Sequence, residues 1–179
     1  MKKGDCFLCP GEKCRTLYYI TDVDGSKLWA LSVFINQNTV QAMDWIREYD
    51  ANLPDNIIML PPSMYDTIKQ VMQECMENMH KTLQEEALRV DFDIEVGALY
   101  TDGYSIHRVT EMKDDEFGHT KWHYKLFRID TENISMNWRG SSPADSYKSH
   151  ILPITEDTLE KVKARFEILL SNIAQHLGQ

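Results

Sequence analysis

One numerical offset constrains this chain more than any local pattern. Subtracting 93 from the numbers of the second half lays Gly97 on Gly4, Trp122 on Trp29, Phe127 on Phe34, Met136 on Met43 and Trp138 on Trp45. Asn137 falls on Asp44. Tryptophan is rare, and two pairs of it share the offset. The chain therefore reads as an internal repeat, which limits it to folds built from two similar units. The copies divide as residues 1–88 and 89–179. Isolated halves of about 90 residues would be more marginal than one body of the full length, so the copies are expected to pack as one globular body.

Each copy reads as several strands followed by a helix. In the first, Tyr18 to Val23 and Leu28 to Ile35 flank an Asp24-Gly25 turn, the signature of a hairpin. Thr39 to Ile46 and Ile57 to Leu60 read as further strands. Tyr65, Ile68, Met72, Cys75, Met76, Met79 and Leu83 then recur at helical spacing, with Ser63 as N-cap. The second copy follows with Tyr104 to Val109, Trp122 to Ile129, the alternating Ile134, Met136 and Trp138, and Ile151-Leu152-Pro153, which echoes Met59-Leu60-Pro61. Its helix carries Leu159, Val162, Phe166, Leu169, Leu170, Ile173 and Leu177 behind a Thr155 N-cap. The expected fold class is α+β: a tandem duplication of a small antiparallel β unit, SH3-like or a partly open barrel, each copy followed by a C-terminal α-helix.

Departures from the offset mark loops. Tyr18 and Tyr104 differ by 86, because the first copy carries a long loop through Cys9 and Cys14. The second carries a long hairpin loop, Lys113 to His119. Between the copies, Val90 to Val96 alternates apolar and acidic residues, which predicts a half-buried strand with an acidic outer face.

The formal net charge is −9, and no cluster of Lys and Arg stands out. Phosphate backbones are bound by such clusters, so direct nucleic-acid or anionic-membrane binding is disfavoured. An acidic surface suits solubility or a basic protein partner. No apolar run has the length of a membrane span, and the N-terminus lacks a signal-type apolar stretch. The expected location is the cytoplasm, with reduced cysteines.

Cys6, Cys9 and Cys14 form the densest chemical cluster. Cys6-x2-Cys9 spacing could begin a zinc site with Cys14 as third ligand, although a structural site needs a fourth. Cys9 and Cys14 flank a Pro-Gly turn and could instead form a disulfide. The favoured reading is free thiols, with no cofactor, and Cys75 as a small core side chain. His107, His119 and His123, near Asp114, Asp115 and Glu116, have the chemistry of a cation site but read more simply as a solvated hairpin. Trp29, Trp45, Trp122 and Trp138, with Tyr18, Tyr19, Tyr100 and Tyr104, could line a cleft. Their recurrence in both copies favours core packing.

No Gly-x-Ser-x-Gly, phosphate-binding glycine loop or His-Glu-x-x-His occurs. The sequence points to a non-catalytic acidic binding module, of inhibitor, immunity or anti-defence type, acting on a basic protein. Asp91, Asp93, Glu95, Asp114, Asp115 and Glu116 are the expected contact residues. The alternatives are a metal- or small-ligand-binding protein using the Cys6/Cys9/Cys14 loop or a cleft between copies, and an enzyme whose active site carries no known motif.

Overall fold

The computed structural model describes residues 1–114, 116–118, 120–129, 134–135, 139–141 and 150–178. Among them the chain forms two antiparallel sheets and two helices. The first half contributes β1 (Cys6–Pro10), β2 (Arg15–Asp24), β3 (Lys27–Ile35), β4 (Thr39–Asp50), β5 (Ile58–Leu60) and α1 (Met64–Glu86). The second contributes β6 (Leu99–Thr101), β7 (Ser105–Asp114), β8 (Thr120–Arg128), β9 (Ile134–Ser135), β10 (Arg139–Ser141), β11 (Leu152–Ile154) and α2 (Glu156–His176).

The first sheet has the order β5-β1-β2-β3-β4-β9 and the second β10-β8-β7-β6-β11. Both orders end in open edges, so the barrel expectation gives way to two open sheets. Pro153 lies on β11, an edge strand, where a missing N–H costs no ladder bond. Met136 and Trp138, expected on a strand, lie outside the described residues.

The contacts define two compact units. One holds Met1–Glu74, Thr131–Ile134 and Leu169–Gln179; the other holds Cys75–Asp130 and Ser135–Ile168. The division falls inside both helices, between residues 74 and 75 and between residues 168 and 169, and not at residue 88. In the first unit, Tyr65 of α1 tilts against Tyr19 of β2, with ring centres 5.8 Å apart. Lys69 Nζ reaches Asp44 of β4 at 2.7 Å. Leu8, Leu17, Ile20, Val33, Val40, Ile68 and Leu169 are fully buried there. In the second unit, Arg165 Nε of α2 donates to Thr82 Oγ1 of α1 at 3.0 Å, and Lys161 bonds Glu86 at 2.8 Å. The expected helical faces are buried, apart from Cys75 and Leu170, which are half-exposed. Thr155 caps α2 by accepting the Thr158 N–H at 3.3 Å.

The segment from Val90 to Val96 is not a strand. Its alternation is nevertheless real: Phe92 and Ile94 pack on the buried cluster of Tyr100, Val109, Tyr124 and Ile151, while Asp91, Asp93 and Glu95 are exposed. A side chain replaces the ladder. The Tyr100 hydroxyl accepts the Glu95 N–H at 2.9 Å and donates to the Asp93 carbonyl at 3.3 Å. The alternation thus reported burial, and a hydroxyl supplied the hydrogen bonds that a neighbouring strand would have made.

The ladders do not keep the constant offset of 93. Each long hairpin carries one bulge, at Thr21 between Ile20 and Asp22 and at Thr110 between Val109 and Glu111. Thr21 Oγ1 donates to the Trp29 carbonyl at 3.0 Å, and Thr110 Oγ1 to the His123 carbonyl at 3.1 Å. By ladder position Trp29 therefore corresponds to His123, and Leu28 to Trp122. Buried Phe127 corresponds to buried Val33, not to Phe34. A shift of one residue reverses the face of every side chain, so the tryptophan match placed β3 and β8 in the wrong phase. Gly4 and Gly97 do correspond: both have φ near +90°, at +88° and +90°. Their N–H groups donate to Ile20 O at 2.9 Å and to Val109 O at 2.8 Å.

Candidate functional site

The cysteines divide by strand parity. On β1, Cys6 and Leu8 face one way and Phe7 and Cys9 the other, because alternate residues leave a strand on opposite faces. Cys6 is fully buried, and burial pushes its thiol up to about 11. Cys9 is half-exposed opposite Thr16, and half-exposed Cys14 lies in the turn joining β1 to β2. The Gly11 N–H donates to the Cys14 carbonyl at 2.9 Å. A Cβ at Gly11 would sit 2.6 Å from that oxygen, so the tight turn requires glycine. Cys6 therefore points away from Cys9, and the trio does not converge. All four thiols are free, and Cys75 Sγ donates to the Arg165 carbonyl at 3.3 Å. Among the described residues no three metal-ligating side chains come together. Beside the turn lies an open groove of ≈ 680 Å³, lined by Glu12, Lys13, Cys14, Arg15, Asn36 and Leu170 among others.

A second cluster brings together Asp102, Ser105 and His107, a grouping that the sequence reading did not anticipate. Asp102 opens the β6–β7 turn and Gly103 completes it at φ +88°. The Asp102 carboxylate accepts the N–H groups of Tyr104 and Ser105 at 2.8 and 2.7 Å. Ser105 Oγ stands 3.0 and 2.9 Å from the two carboxylate oxygens and 2.9 Å from His107 Nε2. His107 Nε2 is also 3.4 Å from Asp102 Oδ2. A carboxylate only accepts, so the single hydroxyl proton of Ser105 goes to Asp102. His107 Nε2 then carries hydrogen and donates to Ser105 Oγ. Burial raises the Asp102 pKa, but the bonds from His107, Tyr104 and Ser105 outweigh it and hold the value at about 2.

This is a Ser, His and Asp set without the wiring of a nucleophile. Nucleophilic serine needs an imidazole nitrogen free to take its proton, with the carboxylate on the far side of the ring. Here serine and carboxylate meet the same nitrogen. Ser105 and His107 are also buried, at 6% and 0% exposure, with the Tyr124 ring 4.9 Å from the imidazole. The cluster locks a hairpin. The signal was present as Asp, Ser and His at i, i+3 and i+5 across an Asp-Gly turn. His107 is thus a core residue and not a hairpin-tip histidine. His123 is half-exposed on β8, paired with Glu111, and His119 lies outside the described residues.

The expected contact residues lie where their charge requires. Asp91, Asp93, Glu95, Asp114 and Glu116 are exposed, and Asp115 lies outside the described residues. Asp114 accepts a bond from Thr120 at 2.8 Å. The aromatic residues divide. Tyr100 is buried, Tyr18, Tyr19 and Trp29 are half-exposed, and Tyr104 and Trp45 are exposed at 61% and 43%. Core packing therefore fails as an account of Trp45, whose ring carries the Arg47 guanidinium at 5.1 Å. Among the described residues no helix is long and apolar enough to cross a membrane. No family model, characterised protein or solved structure matches the chain.

Proposed function

We propose that this protein is a non-catalytic acidic binding module acting on a basic protein partner, in the manner of an inhibitor, immunity or anti-defence protein. The observation that carries the reading is the strap at Asp91, Asp93 and Glu95. Its apolar side is anchored by Phe92 and Ile94, so its three carboxylates stay exposed in a fixed row. The Asp114, Asp115 and Glu116 stretch adds charge of the same sign. Such rows steer a basic partner and raise the rate of encounter more than they lower the rate of escape. Free thiols suit a reducing compartment such as the cytoplasm. The test begins with a partner identified by crosslinking in the native cell. The on-rate for that partner should fall as salt shortens the Debye length below about 8 Å. It should fall again in the triple variant Asp91→Lys, Asp93→Lys, Glu95→Lys. An on-rate indifferent to both would remove electrostatic steering and this reading with it.

The architecture is read here as a duplication. Three correspondences support it: strand order β5-β1-β2-β3-β4 against β11-β6-β7-β8-β10, a bulged threonine with the same carbonyl bond, and Gly4 with Gly97. A second functional reading, a small ligand in the groove beside Cys14, draws on the volume and polar rim of that groove.

A further inference from the structure

Beyond its bulges, the first sheet becomes a ribbon with one face open to solvent, while the other carries buried Leu28 between half-exposed Val23 and Tyr49. Bulges fall between Ile20 and Asp22 in the β2–β3 ladder and between Ala30 and Ser32 in the β3–β4 ladder. Every residue of β4 from Asp44 to Asp50 is exposed except Tyr49, which is half-exposed. Bulges add right-handed twist, and a twisted ribbon is cupped on one face. The cup is a shallow pocket of ≈ 440 Å³ lined by Thr21, Asp22, Asp24, Trp29 and Ile46. Its floor is apolar: Trp29 is half-exposed and Ile46 is 56% exposed. Its rim is acidic. Asp22 and Trp29 are ladder partners, and Glu48 lies across Trp29 on the other side.

The charges around the cup are unevenly matched. Lys27 Nζ pairs with Glu48 at 2.6 Å, which removes the local cation. Asp22 Oδ1 accepts its neighbour's N–H from Val23 at 3.0 Å. The Asp24 carboxylate makes no hydrogen bond or ion pair among the described residues, although its backbone pairs with Lys27 in the ladder. No cation lies over Trp29 among them either, whereas exposed Trp45 is covered by Arg47 of this same chain at 5.1 Å. The protein thus already shows, at Trp45, how an exposed indole on this ribbon is satisfied.

We propose that the cup formed by Trp29, Ile46, Asp22 and Asp24 receives an arginine side chain of a basic protein partner. The planar guanidinium stacks on the Trp29 indole, and its N–H groups donate to Asp22 and Asp24. The aliphatic stem covers Ile46. Arginine fits better than lysine, since one planar group can stack and bond two carboxylates at once. The proposal rests on the acidic-module reading and names the side chain which that surface recognises.

The test is a titration of the isotope-labelled full chain with N-acetyl-arginine amide at low salt, followed by nuclear magnetic resonance. The Trp29 indole N–H, assigned by its loss in Trp29→Phe, should shift saturably together with the backbone amides of Asp22 and Asp24. The neutral citrulline analogue should produce no such shift. The double variant Asp22→Asn, Asp24→Asn should weaken binding at least about tenfold while leaving the remaining spectrum in place. Both changes are on exposed side chains, so the spectrum itself certifies the fold. Equal response to citrulline, or shifts spread evenly over all acidic residues, would overturn the cup. Shifts confined to Asp91–Glu95 would overturn it while leaving the acidic-module reading standing.

Discussion

Asp102 shows how a single carboxylate can be held ionised in a half-exposed turn. Two backbone N–H groups and the Ser105 hydroxyl bond it, and His107 approaches it through the imidazole nitrogen that also meets Ser105. Its pKa falls from 3.8 to about 2, so the folded state binds this proton less tightly than the unfolded state does. The group therefore adds stability that is fully present above about pH 4 and is lost as pH falls through about 2. A shift of this size corresponds to about 2 kcal/mol. Asp102→Asn should be less stable than the parent at neutral pH, and the gap should narrow by about that amount between about pH 5 and pH 2. Urea unfolding across that range reads it directly. A constant gap would mean that Asp102 acts through shape alone.

At the scale of elements, the two glycines at the sheet entrances offer a test of the duplication. Gly4 and Gly97 occupy the left-handed region at +88° and +90°, and nothing lies within 4 Å of a Cβ built on either. Alanine at each site meets backbone strain but no clash. Gly4→Ala and Gly97→Ala should therefore each cost about 1 kcal/mol, by closely similar amounts. Thermal unfolding of the two variants measures it, and a large cost at one site alone would count against equivalent entrances. The helices were legible from the sequence because a 3.6-residue period repeats over about five turns at Tyr65 to Leu83 and Leu159 to Leu177. The hairpins were legible from Asp24-Gly25 and from alternation. Phase was not. Two pairs of tryptophans at one offset outweighed the burial pattern, in which buried Val33 rather than Phe34 matches the ladder position of buried Phe127. The open sheets were not legible either, since closure depends on which edges meet and not on any one strand. Of the site, exposure of the acidic row could be read from alternation at Val90 to Val96. The cup around Trp29 could not, because bulges create it and bulges leave little trace in sequence.

At the scale of the whole molecule, each compact unit draws on distant parts of the chain. Leu169 is fully buried and sits on α2, yet it belongs to the unit that contains β1 to β5. Leu169→Ala should cost about 2–5 kcal/mol, the range for a buried leucine whose cavity relaxes only in part. The damage should appear far from the substitution in sequence. Amide hydrogen exchange should quicken in the strands from Cys6 to Leu60 more than in those from Leu99 to Arg128. Faster exchange confined to Leu99–Arg128 would assign Leu169 to the other unit.

The crossing of both unit boundaries by helices also bears on how the chain acquires its fold during synthesis. The strands of the first unit emerge from the ribosome early, but residues 169–179, which complete that unit, emerge only after the whole of the second. The nascent first sheet must wait, incompletely covered, until α2 has been made. The first unit cannot be a finished intermediate on which the second is later built. Chaperone association with the newly made chain should accordingly persist past β8 and decline only once α2 has emerged.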